Sequence, residues 1–143
     1  LHNAGVINDY LDERYPHPPL MPVDPVSRAR LRLIHHRVIR DWYPMAAEIE
    51  TAAPAKADKM RQQLKESIVA ANDLFKESDF VLSDELSLVD CTLGPLFWRL
   101  PVYGIDLGKP GASVQGYIQR LISRRSFKLS LTRAEREMIL NAA

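Results

Sequence analysis

Apolar residues recur at helical spacing along nearly all of the chain, and no stretch alternates in the manner of a strand. Between Asn3 and Tyr15 they fall at Val6, Ile7, Tyr10 and Leu11, one side of a first helix. Asp24-Pro25 then reads as a helix start, with Asp as the cap and Pro at the first helical position. The stripe that follows, Leu31, Ile34, Val38, Trp42, Met45 and Ile49, carries this helix to about Glu50. Pro44 lies inside it and lacks the N–H that would bond to the Arg40 carbonyl, so a kink is expected there. Pro54 opens the next helix, whose apolar face is Met60, Leu64, Ile68, Ala71 and Phe75; Lys56, Lys59, Gln62, Gln63 and Glu66 make its solvated side.

A different pattern begins at Ser87. Ser87-x-x-Asp90 is a capping box, flanked by Leu86 and Cys91 at the two staple positions. Beyond it, Leu88, Val89, Leu93, Leu96, Phe97, Trp98 and Leu100 surround the helix instead of forming one stripe. A helix apolar on all sides is buried on all sides, so this one is expected at the centre, with a kink at Gly94-Pro95. Val114, Tyr117, Ile118, Leu121 and Ile122 mark a further helix, and Thr132-x-x-Glu135 caps a last one. The sum is an all-α bundle of about five helices after the proline-rich stretch.

Composition narrows the partners. Net charge is +1, so neither nucleic acid nor a membrane surface is attracted strongly by the chain as a whole, and no apolar run approaches the ~20 residues of a membrane span. The single cysteine cannot close an internal disulfide, which suits a reducing compartment. The chain begins at Leu1, and its first helix carries an apolar face with nothing before it to pack on; we expect the tail of a larger protein.

No catalytic constellation emerges: HExxH, CxxC, GxSxG, Walker and GxGxxG patterns are all missing from the sequence. His35 and His36 are adjacent, hence about 100° apart on a helix, and form no metal pair. Cys91 is expected to be an inert core thiol on the buried helix. No catalytic residue, metal ligand or cofactor-binding residue is therefore assigned. Arg28, Arg30, Arg32, Arg37 and Arg40 make the first long helix basic; a solvated face or a dimer contact is the leading reading, and a dock for an acidic protein surface the sharper one. Aromatics are not interleaved with these charges, which places nucleic acid last.

"YPHPPLMPVDP", Tyr15 to Pro25, holds five of the chain's ten prolines. X-Pro residues favour extended backbone, so the segment serves as a connector. It also carries Tyr15, His17, Leu20 and Met21, and a stiff backbone presenting apolar groups loses little entropy when a partner binds. Connector alone and partner surface both remain open on these grounds.

The stretches "INDYLDERYPHPPLMPVDPVSRAR", "RDWYP", "LSDELSLVDCTLGPLFWRLPVYGI" and "SLTRAEREM" resemble the stringent starvation protein A family, bacterial RNA polymerase-associated proteins with a glutathione transferase-like fold. The resemblance spans nearly the whole chain. It implies that residues 1–15 are the last helix of a mostly missing thioredoxin-like domain. Residues 16–25 would be the interdomain segment, and 26–143 the glutathione transferase C-terminal-like helical domain. It implies a cytoplasmic homodimer in full-length form, without transferase activity and without a cofactor. Such a protein binds RNA polymerase holoenzyme, contacts the sigma factor and alters promoter use in starvation and stress. No direct sequence-specific contact with nucleic acid is expected. The exposed Pro-His-Pro contact surface of the family would here be Pro16, His17 and Pro18, with Tyr15, Pro19 and Leu20 beside them. One departure stands out. Where the family has Glu-Ser at the start of the first helix, this chain has Asn3-Ala4, which removes a hydroxyl used by transferases to hold glutathione. A transferase or thiol-disulfide enzyme of the same fold is the alternative.

Overall fold

A computed structural model of the chain describes residues 2–140. Eight α-helices and short π and 3-10 turns make up its elements, and no strand occurs among the described residues. Helix α1 is Ala4–Arg14, α2 Pro25–Arg37, α3 Tyr43–Thr51, α4 Pro54–Ala70, α5 Leu88–Trp98, α6 Ala112–Ser123, α7 Arg125–Ser130 and α8 Arg133–Leu140.

The expected first long helix is realised as α2 and α3 joined without a break by a π turn, Val38–Trp42. Its widened ring closes with the Tyr43 N–H donating to the Val38 carbonyl, five residues back. Pro44 sits just beyond. The extra residue in the turn makes room for a pyrrolidine ring that an unbroken α-helix would drive into a carbonyl. The proline thus reshapes the helix locally and does not end it.

Helix α3 folds back on α4, while α5 packs against α2 and α6, and α6 against α7. The core gathers Leu31, Val38, Trp42, Leu64, Ile68, Val89, Leu93, Phe97 and Tyr117, all fully or almost fully buried. Each such side chain stabilises by about 1.5–3 kcal/mol relative to exposure. At its centre the Phe97 ring meets Trp42 at 5.8 Å and Tyr117 edge-on at 6.0 Å, and Phe75 lies 4.6 Å from Tyr117. Edge-on and tilted rings suit the aromatic quadrupole. Helix α4 stops at Ala70, earlier than its stripe suggests, and Phe75 enters the core from the 3-10 turn Asn72–Phe75. That turn places Asn72 so that its carboxamide oxygen accepts the N–H groups of Ser113 and Val114. It caps α6, whose own cap residue, Gly111, has no side chain.

Both capping boxes form. Ser87 N–H donates to Asp90 Oδ2 at 2.7 Å, and Thr132 N–H to Glu135 Oε2 at 2.8 Å. Helix α7 has no counterpart in the sequence reading: it is six residues long, with no side-chain cap. Its Phe127 ring approaches Gly94 so closely that a Cβ there would lie 3.1 Å from the ring, so close packing gives Gly94 its role. Pro95 is accommodated inside α5.

Candidate docking surface

The proline segment is bare in its first half, 15–19, and anchored in its second. Asp12, on the last turns of α1, accepts the Leu20 N–H at 2.6 Å. The Leu20 carbonyl in turn accepts the N–H of Leu88, first residue of the central helix, at 2.9 Å. Two residues on, the Pro22 carbonyl takes Arg28 Nε–H at 2.8 Å, and Asp24 caps α2 by accepting the Ser27 N–H at 2.8 Å. Backbone groups that no regular element pairs here find side-chain or backbone partners instead. Between the anchors Tyr15 is 65% exposed, with the Arg14 guanidinium 5.3 Å from its ring centre. Pro16, His17, Pro18 and Pro19 are all exposed, and the His17–Pro18 bond is cis. Leu20 and Met21 are half-buried; Met21 packs on the core, and with Pro19, Pro22, Leu31 and Leu86 they line a groove of about 180 Å³. The six residues read as a partner surface therefore divide: Tyr15 through Pro19 face outward, and Leu20 is the anchor.

A second concavity, about 560 Å³, lies between α1, the end of α2 and α5. Thr92 Oγ1–H is donated to the Leu88 carbonyl, so its oxygen accepts from His35 Nε2–H at 3.0 Å. Burial lowers the His35 pKa, which keeps the ring neutral. Tyr43 O–H donates to the Thr92 carbonyl at 2.8 Å, and burial raises its pKa. Asn3 spends its side-chain oxygen on capping α1, accepting from Gly5 at 2.9 Å and Val6 at 3.3 Å, and Ala4 has no polar group to offer. Cys91 also lines this cleft, which corrects the expectation of a core thiol: it is exposed, on the open side of α5 with Pro95 four residues on. Surrounding protein nonetheless pushes its pKa up, with the Asp90 carboxylate adding to the effect, so the thiolate is disfavoured. Among the described residues no three His, Cys, Asp or Glu side chains gather as a metal site.

The basic run of α2 and the π turn divides by partner. Arg40 donates through Nε to Asp41 at 2.7 Å, and Arg37 lies 4.0 Å from the same carboxylate. Arg28 is committed to the proline segment, and Arg30 and Arg32 are exposed. On α1, Val6, Tyr10 and Leu11 remain exposed and Ile7 half-buried, so the apolar face seen in the sequence is uncovered by the described residues. Sequence reasoning missed Asp12 and the Leu20–Leu88 bond; both are pairings across many residues and leave no local signal. No helix among the described residues is long and apolar enough to cross a membrane.

A capped central helix packed in an all-α bundle, preceded by one further helix and a proline-rich strap, corresponds to a known domain type. A sequence profile of the glutathione S-transferase C-terminal domain matches residues 46–120, and the chain belongs to that family. BphK, a bacterial GST solved as a ternary complex, superposes with a TM-score of 0.81 at 19% identity, over 96% of this chain and 68% of that one; at this identity the likeness concerns the fold alone. The particular relatives are narrower. The chain is 42% identical to the stringent starvation protein A homolog of Pasteurella multocida (strain Pm70) over 132 residues, 92% of this chain and 62% of that protein. It is 40% identical to that of Coxiella burnetii (strain RSA 493 / Nine Mile phase I) over 139 residues, 96% of this chain and 66% of that protein. The resemblance carried by YLDERYPHPPLMP and FVLSDELSLVDC is borne out. The chain spans just under two thirds of the length of these relatives.

Proposed function

We propose that this chain is part of a non-enzymatic transcription regulator that docks on RNA polymerase holoenzyme, contacting its sigma factor, in the cytoplasm of starved or stressed cells. The docking surface is Tyr15, Pro16, His17, Pro18 and Pro19, set in place by Leu20. The observation that carries this reading is the outward presentation of those five residues between the end of α1 and Leu20, which the Asp12 carboxylate and the Leu88 N–H hold in place. A flexible linker would need neither anchor, whereas a contact surface gains affinity from being ordered beforehand. The similarity to stringent starvation protein A homologs supports the partner class.

In this reading residues 1–15 end a thioredoxin-like domain, 16–25 join it to the helical domain 26–143, and the full-length protein is a homodimer. The exposed Val6, Tyr10 and Leu11 fit a face that such a domain covers. The fold also serves transferases, but fold alone is a weak ground for activity. The raised Cys91 pKa and the hydroxyl-free Asn3-Ala4 pair weigh against that alternative here.

The test is a pull-down of RNA polymerase holoenzyme by the chain and by a Pro16→Ala/His17→Ala/Pro18→Ala variant with unchanged far-UV circular dichroism. Loss of binding in the variant alone is the expected result. Equal retention by both would remove the docking role from these residues.

A further inference from the structure

The near-neutral total hides a strong asymmetry. From Arg120 to Leu140 six cations face two carboxylates, a net charge of +4 in a chain whose total is +1. Half of those cations are occupied. Arg120 bonds the carbonyls of Ser78 and Asp79, Arg124 lies 5.3 Å over the Phe80 ring, and Arg133 pairs with Glu137 at 2.7 Å. The other three, Arg125, Lys128 and Arg136, line one open groove of about 610 Å³ between α7 and α8. No carboxylate lines that groove, and among the described residues none of the three has one within ion-pair distance. Arg136 is held in place by donating to the carbonyls of Lys128 and Leu131, at 3.4 and 2.9 Å. Those are bonds to the C-terminal end of α7, and they orient the guanidinium and leave its charge uncompensated. Between the cations lie Leu129, 68% exposed, and Leu131, half-buried.

We infer that this groove docks an acidic segment of a partner protein, with carboxylates meeting Arg125, Lys128 and Arg136 and an apolar side chain seated on Leu129 and Leu131. Charge complementarity chooses the sign of the partner. The leucines choose its class: a nucleic-acid strand needs a longer cationic track and rings for base stacking, and no aromatic residue lines the groove. The site shares no residue with the proline segment, so the inference stands apart from the function proposed above.

Fluorescence anisotropy with this chain tests it, using a labelled peptide of about twelve residues built from Glu-Glu-Leu repeats. Probes for comparison are the same peptide with Gln for Glu and a labelled single-stranded DNA of similar length. The acidic peptide should bind about tenfold more tightly than its Gln counterpart at low salt, the worth of three partly exposed ion pairs, and weaken as salt rises. An Arg125→Gln/Lys128→Gln variant should lose most of that difference, and Leu129→Ser should weaken the acidic peptide without abolishing its preference over the Gln form. Both changes are at exposed positions and should leave the far-UV circular dichroism unchanged. Equal binding of the two peptides, or an unaltered affinity in the double variant, overturns the inference. So does tighter binding of the DNA that depends on the same residues, which would make the groove a phosphate reader. Self-association of the chain that vanishes in the double variant would make a second copy the occupant and overturn it likewise.

Discussion

Asp90 offers the sharpest test of how the bundle is held. Its side chain is completely buried and accepts four hydrogen bonds. Oδ1 takes Tyr117 O–H at 2.7 Å and the Val81 N–H at 3.1 Å; Oδ2 takes the Ser87 N–H at 2.7 Å and Ser87 Oγ–H at 2.6 Å. Three segments therefore meet at one carboxylate: the loop before α5, α5 itself and α6. Replacing Tyr117 by Phe removes one bond to a charged acceptor and leaves the other three, a loss of about 1.5–3 kcal/mol. Asp90→Asn turns one acceptor oxygen into a donor among donors, so at least one buried N–H or O–H is left unpaired, and the loss should be about 3 kcal/mol or more. Against a total stability of roughly 5–15 kcal/mol for a domain, the second change approaches the threshold of unfolding. The two are coupled: in the Asp90→Asn background Tyr117→Phe should cost at least about 1 kcal/mol less than in the parent, because the bond it deletes is already compromised. Urea unfolding followed by circular dichroism, and by fluorescence of the buried Trp42, measures all four corners of the cycle. A Tyr117→Phe variant within about 0.5 kcal/mol of the parent, or strictly additive losses, would show that the carboxylate does not act as the hub described.

Other outcomes follow from the same contacts. Burial raises the pKa of Tyr117 and Tyr103 in the folded state, with Asp90 and Glu50 respectively adding to it, so the unfolded chain loses those protons first. Stability is full below the unfolded value near pH 10 and falls above it by up to ~1.4 kcal/mol per pH unit for each group; Tyr117→Phe should flatten that alkaline slope in a pH series of urea midpoints. His35 has the opposite sense: its folded pKa is lowered, so the unfolded chain binds the proton first and stability declines as pH falls below about 6.5. His35→Gln should weaken that acid-side dependence, and an unchanged profile would exclude His35 as its source. At Gly111 an added Cβ would lie 2.6 Å from the Leu107 Cβ, a contact that backbone must move to relieve. Gly111→Ala is expected to cost about 1–3 kcal/mol in thermal or urea unfolding despite alanine's better helix propensity, and a neutral result would contradict the packing described.

Helices with caps and one-sided stripes were legible in the sequence because both signals are local. Ser87-x-x-Asp90, Thr132-x-x-Glu135, Asp24-Pro25 and the stripe through Leu64 and Ile68 each formed as their spacing predicted. Helix α7 was not, since its one packing residue, Phe127, and its lack of a cap give a six-residue segment no period to detect. The open side of α5 was hidden for another reason: Cys91 and Pro95, which form it, are not polar, so the helix reads as apolar throughout. Asp90 was legible as a cap only, because its bonds to Val81 and Tyr117 join residues 9 and 27 positions away. The candidate surface divided along the same line. Exposure of the proline stretch was implied by the family resemblance, while the pins at Asp12 and Leu88 that fix it depend on the finished fold.

The π turn between α2 and α3 has a meaning beyond making room for Pro44. An α-helix advances about 100° per residue, so the additional residue in Val38–Trp42 sets the angular phase between everything before it and everything after it. Leu31 on one side and Ala46 and Ile49 on the other are all buried in the same core with that offset present. Deleting a single residue from 38–42 would let the turn close as an ordinary α-helical one with α3 kept at its present angle, whereas straightening the turn without a deletion would rotate α3 by about 100°, more than a quarter turn. The irregular turn works as a phase adjuster: it lets one continuous rod, straddling a proline, present two differently indexed faces to a single interior.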